Sequence, residues 1–200
     1  FWVTKKRYGQ WIINDGGLTC DKLDVKGLDI VRSSFPPAMR ELMTGVLKDI
    51  LGSAQKNVID DKINEFKTKM KTMNIQDIAL PTGVKGLKKY TDKNKRGKFN
   101  TKSKFTNIKK GAPVHVKAAI KYNDLLKHYG LNNHEEIRGS EKIKWVYLKN
   151  NEFGIDSLAF KGYDDPEDIM NFIKQYIDYD KLYKGALEKK IKMFYGALQW

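Results

Sequence analysis

Lys5-Lys6-Arg7-Tyr8 near the amino end and Arg32-Ser33-Ser34 just ahead of Phe35-Pro36-Pro37 are groups that recognise phosphate. A guanidinium, two hydroxyls and the backbone N–H groups that open a helix can converge on one phosphate oxygen cluster. A larger group follows. Between residues 85 and 121, thirteen lysines and arginines face a single acid, Asp92, so this stretch alone carries +12 of the chain's net +14. So much local self-repulsion is easiest to understand beside a polyanion, and a pI near 9.6 makes nucleic acid the expected partner. Lys98, Lys102, Lys104, Lys109 and Lys110 are the candidate contacts to a DNA backbone within it, with Phe99 and Phe105 anchoring the segment.

The residues that would catalyse a reaction are harder to find. Two-metal phosphoryl transfer needs carboxylates that hold two ions about 4 Å apart. Asp60-Asp61, Glu135-Glu136 and Asp164-Asp165 read instead as helix surface or helix start, and Asp178-Tyr179-Asp180 as a capping acid before a last helix. His115, His128 and His134 have no carboxylate or cysteine at ligand spacing, Cys20 stands alone, and no glycine pattern signals a nucleotide loop. One cysteine excludes an internal disulfide framework and fits a reducing, cytoplasmic location. No apolar run approaches the roughly 20 residues of a membrane span, so no membrane partner is expected.

The elements that position these groups follow from periodicity. Residues 2 to 14 are rich in aromatic and β-branched types and stop at Asp15-Gly16-Gly17, which predicts a strand entering a turn. Lys22 to Ile30 is the predicted returning strand, placing Lys6, Tyr8 and Arg32 on one small sheet, with Lys6 and Tyr8 on the same face. Pro36-Pro37 predicts a helix start, and Met39, Leu42, Met43, Val46, Leu47, Ile50 and Leu51 recur at helical spacing. Gly52-Ser53 punctuates it, and Val58, Ile59, Ile63, Phe66, Met70 and Met73 continue on a second helix. Residues 81 to 111 lack a period and read as a long functional loop holding short elements. A helix from Pro113 to Gly130, a hairpin of 143–148 with 157–160, a helix opened by Asp164-Asp165-Pro166-Glu167 and a last helix from about Tyr179 to Leu198 complete the reading. The predicted class is α+β, mainly α.

Three blocks in this order resemble family B DNA polymerases of the phage T4 type: Lys5-Lys6-Arg7-Tyr8 with Lys26-Gly27-Leu28-Asp29-Ile30-Val31-Arg32-Ser33-Ser34-Phe35-Pro36, then Gly111-Ala112-Pro113-Val114-His115-Val116-Lys117-Ala118-Ala119, then the closing residues Leu187 to Trp200. The resemblance implies a palm edge over residues 1–34, carrying the Lys-x-Tyr element, and a thumb over 35–200. It implies that Lys6 reaches the minor groove at the primer end, that Tyr8 meets the sugar-phosphate there, and that Lys5, Arg32, Ser33, Ser34, His115, Lys117 and Lys121 contact DNA backbone. The family's catalytic aspartates fall outside this chain, so no catalytic or metal-binding residue is expected here. Mg²⁺ belongs to the complete polymerase, and the piece by itself is expected not to polymerise.

Phe1 in place of Met suggests an excised or processed fragment. The expected partners are duplex primer-template DNA and the remaining polymerase domains or, in a naturally split polymerase, a complementary subunit. A sliding clamp would be reached only through a tail that this chain lacks. The competing reading is a free-standing basic nucleic-acid-binding protein, which would build a finished core around Trp2, Trp11 and Ile13.

Overall fold

A computed structural model of the protein describes residues 1–91 and 108–200. In chain order the elements are β1 (Trp2–Thr4), β2 (Arg7–Asp15), β3 (Leu18–Lys26), α1 (Pro37–Leu51), α2 (Lys56–Lys69), α3 (Ile75–Ile78), β4 (Leu80–Gly83), α4 (Leu87–Tyr90), α5 (Val114–His128), β5 (Lys142–Tyr147), β6 (Ser157–Phe160), α6 (Glu167–Tyr176), α7 (Tyr179–Tyr183) and α8 (Lys189–Leu198). The fold is α+β and mainly helical, with two antiparallel three-stranded sheets, β1-β2-β3 and β4-β5-β6. Two compact units divide it: Phe1–Ile78 with Tyr183–Trp200, and Ala79–Leu182. No helix of the described residues is long and apolar enough to cross a membrane.

In the first unit, β2 and β3 form a hairpin closed by Gly16-Gly17, both at positive φ (61° and 92°), the geometry a two-residue primed turn demands. The return strand therefore starts at Leu18, not Lys22, because the two glycines turn the chain at once. Lys5-Lys6 is the turn between β1 and β2, with Thr4 paired to Arg7. Lys6 thus lies off the strand on which the sequence places it, and Arg32 follows a short 3₁₀ turn, Asp29–Val31, rather than joining the sheet.

Gly27 shows how tightly this corner is built. Its φ is +70°, and a Cβ added there would stand 2.1 Å from the Lys6 carbonyl oxygen. Gly27→Ala is expected to lower stability by at least about 1–3 kcal/mol, whereas Gly16→Asn, in open space at a φ that Asn tolerates, should cost little. Urea unfolding of the two variants checks the contrast; equal stability would show that the corner relaxes freely.

The α1 face carries Met39, Leu42, Met43, Val46 and Leu47 into the core, at the predicted spacing, and α2 adds Ile59, Ile63 and Phe66. Val58, expected among them, is 47% exposed. Gly9 lets β2 approach α1, since a Cβ there would press within 2.7 Å of Leu47. Trp11 Nε1 donates to Asp21 Oδ1 (2.6 Å), and Lys48 of α1 reaches the same carboxylate, tying the hairpin to the helix. Tyr195 of α8 donates to Asp60 of α2 at 2.5 Å. Asp60 is therefore a helix-packing acceptor rather than bare helix surface.

In the second unit the expected hairpin gains a third strand, β4, out of residues read as loop; β4 pairs with β5 from Leu80↔Trp145 to Gly83↔Lys142. All four residues of β6 are buried, and α5 packs along it. The expected 179–198 helix is interrupted by a π turn over Lys184–Glu188.

Candidate nucleic-acid interface

Pro113 fixes the chain direction one residue ahead of α5, and Gly111 (φ +84°) turns the preceding segment toward it. Thr91 and Ile108 form a β-bridge, and Lys109 N donates to the Tyr90 carbonyl at 2.8 Å. Lys109 and Lys110 are thereby held on backbone pairing beside the start of α5. With Lys117, Lys121, Gly154 and Asp156 they line an open cleft of about 530 Å³ within the second unit. Four ammonium groups against one carboxylate make it a seat for anions.

The four lysines are not equivalent. Lys109 and Lys110 are exposed and Lys117 half-buried, so their charges are available to a polyanion. Lys121, expected as a backbone contact one turn beyond Lys117, has a side chain only 8% exposed and is ion-paired to Asp156, with Ser157 Oγ a further partner at 3.3 Å. Burial pulls its ammonium below the usual lysine value, opposed by the Asp156 carboxylate. At Asp156, burial is the largest single influence and raises the carboxyl, but the Lys121 hydrogen bond and charge, with the Ser157 and backbone hydrogen bonds, together hold the group below the usual range. His115 is half-buried in the first turn of α5, and that burial lowers its pKa, so near neutral pH it offers hydrogen bonds rather than charge.

In the first unit, Lys5 and Lys6 are exposed at their turn. Tyr8 stacks on Trp2 (ring centroids 4.7 Å apart), and Lys26, its cross-strand neighbour, has its ammonium 5.9 Å from the Tyr8 ring. Lys6 and Tyr8 belong to one corner but not to one alternating strand face. Arg32 pairs with Asp29 at 3.1 Å, and Lys190 reaches that same acid at 3.3 Å. Ser33 and Ser34 are exposed in the turn before α1. Neither caps the helix: the cap position is Pro36, without a side-chain hydrogen bond. Arg40 Nη2 instead pins the turn, donating to the Arg32 and Phe35 carbonyls (2.9 and 3.0 Å). Lys98, Lys102 and Lys104 lie outside the described residues.

Compared with known proteins, the chain matches no protein-family model and no curated sequence.

The acidic pairs have structural duties. Asp178 Oδ1 accepts from Lys181 N at 2.9 Å, the predicted cap of α7. Asp165 does not cap α6; it accepts from the Lys161 and Gly162 backbone N–H groups (2.7 and 2.6 Å) and closes the loop ahead of the helix. Glu136 pairs with Lys127 at 2.8 Å and Glu135 with Lys161 at 3.4 Å, both from the connection after α5 rather than a helix face. Held by ion pairs and backbone N–H groups of the protein, these carboxylates do not fit a two-metal centre.

Three positions escaped the sequence reading. Asp156 carried no motif, Lys161 is buried between Glu135 and Glu141, and Asn123 is buried inside α5. Asn123 Nδ2 donates to the Ile137 carbonyl (2.9 Å) while its Oδ1 accepts from Ile137 N (2.8 Å). Their only signal was a polar residue interrupting apolar spacing.

Proposed function

We propose that this chain is the palm-edge and thumb portion of a family B replicative DNA-directed DNA polymerase, gripping primer-template duplex without reading its sequence. The observation that carries the reading is the lysine cleft at the start of α5, where Lys109, Lys110 and Lys117 share one lining with Gly154 and Asp156 from the distant connection between β5 and β6. Spaced ammonium groups on a rigid helix and its lead-in fit a phosphate backbone and carry no base code. The Lys-x-Tyr and Arg32-Ser33-Ser34 blocks are assigned to primer-strand contacts by resemblance, at an exposed corner of the first unit.

A second observation favours a larger assembly over a free-standing binding protein. Trp2, Ile13 and Leu18 are 65%, 64% and 76% exposed, so the sheet of the first unit has no finished core around them. In this reading, further polymerase domains cover that face, whether joined to the chain or carried by a complementary subunit. Mg²⁺ and the catalytic carboxylates belong to that remainder.

The test is binding of the chain to a fluorescent primer-template duplex across a salt series, with single-stranded DNA and duplex RNA as competitors. If six to ten of the chain's basic residues meet phosphates, affinity should fall roughly 1,000- to 100,000-fold between about 50 and 200 mM salt. A flat salt response, or no preference for duplex DNA over its competitors, would sink the reading.

A further inference from the structure

The Lys121–Asp156 pair is asymmetric in a way that a structural salt bridge does not require. The lysine side chain is 8% exposed on a helix buried on most of its circumference; the aspartate side chain is 64% exposed at the cleft edge. Ser157 Oγ completes the arrangement, donating to Asp156 Oδ1 at 3.0 Å while lying 3.3 Å from Lys121 Nζ. The buried ammonium thus needs an anion, and the anion present can turn out into water while its backbone stays anchored through Leu148 N to the Asp156 carbonyl (3.0 Å). Turning Asp156 out with nothing in its place would leave a buried ammonium unpaired, which is strongly unfavourable, so the carboxylate leaves only as another anion takes its place. A phosphate oxygen accepting from both an ammonium and a hydroxyl makes charge-assisted bonds of at least equal strength.

We propose that Asp156 is a built-in phosphate mimic: its carboxylate occupies an anion seat formed by Lys121 and Ser157, and the backbone of duplex DNA takes that seat by displacing it. The choice of duplex DNA as the source of the phosphate rests on the reading above. Lys117 from α5, Lys109 and Lys110 from the lead-in, and Lys181, whose charge acts on Lys121 from α7, surround the seat with positive charge that favours a polyanion, whose neighbouring phosphates they can also meet, over a single carboxylate. Asp156 then acts as a brake. Each DNA molecule must first break an internal pair, which weakens the grip and lets the protein release duplex.

The experiment is duplex affinity of Asp156→Asn against wild type over the salt series. Wild type makes the same phosphate contact once Asp156 has turned out, so Asp156→Asn, which has no internal pair to break, should bind duplex at least about tenfold tighter across the series, with a log–log slope close to wild type. The gain should vanish in the Lys121→Met/Asp156→Asn double variant. Unchanged or weaker binding by Asp156→Asn overturns the proposal.

A second arm needs no DNA. Thermal unfolding in inorganic phosphate, compared with chloride at matched ionic strength, should stabilise Asp156→Asn more than wild type, because phosphate neutralises the uncovered ammonium. Equal shifts in the two proteins also overturn the seat. If no variant binds duplex while phosphate still stabilises Asp156→Asn selectively, the duplex reading fails and the seat stands.

Discussion

Replacing Lys109, Lys110 and Lys117 together with alanine is expected to weaken duplex DNA binding roughly 500-fold at ~100 mM salt and to flatten the salt slope by about 2.7. All three ammonium groups line one cleft, and among the described residues none is ion-paired within the protein. Each contact therefore releases its own counterion when a phosphate replaces it. Fluorescence anisotropy with a labelled duplex measures both quantities. The stability of the triple variant should be close to wild type, since these side chains fill no core and like charges are being removed. A loss under tenfold with an unchanged slope would remove the cleft from the interface.

Asn123→Leu is expected to cost the protein about 2–6 kcal/mol, because both backbone groups of Ile137 lose the side-chain partner that meets them inside the second unit. Leucine has the same branched heavy-atom skeleton and suits a helix, so propensity predicts no loss; the penalty comes chiefly from burying an N–H and a carbonyl unmet. The bond pair also holds the 131–140 connection against α5, so proteolysis in that connection should accelerate in the variant. Urea unfolding and limited proteolysis together decide it. A stability change under about 1 kcal/mol would show that water reaches Ile137 and satisfies it.

Helix α5 explains why part of the site was legible and part was not. Its apolar members, Val116, Ala119, Ile120, Leu125 and Leu126, are buried as their spacing predicts. Periodicity also assigns a wet face, and there the reading of Lys121 as a surface contact follows naturally. The helix has no such face along residues 118–126, because sheet β4-β5-β6 covers one side and α4 and α6 approach the others. Lys121, Asn123 and Asp124 are consequently interior polar groups with partners. Lys6 failed differently. Alternation is a property of a strand, and the two-residue turn at Lys5-Lys6 interrupts it, so period-two reasoning across the turn places the side chain wrongly.

Local chemistry in the sequence determined the α+β class, the helix starts at Pro36-Pro37 and Pro113, the turn at Gly16-Gly17 and the concentration of positive charge in residues 85–121, because each depends on residues within a few positions of one another. Tertiary structure alone decided which lysines face solvent. It gathered Lys109, Lys110 and Lys117 around one cleft, drew Lys121 inward and set Asp156 against it. Electrostatic roles depend on distance and burial through space, and neither is encoded in the spacing of residues along the chain.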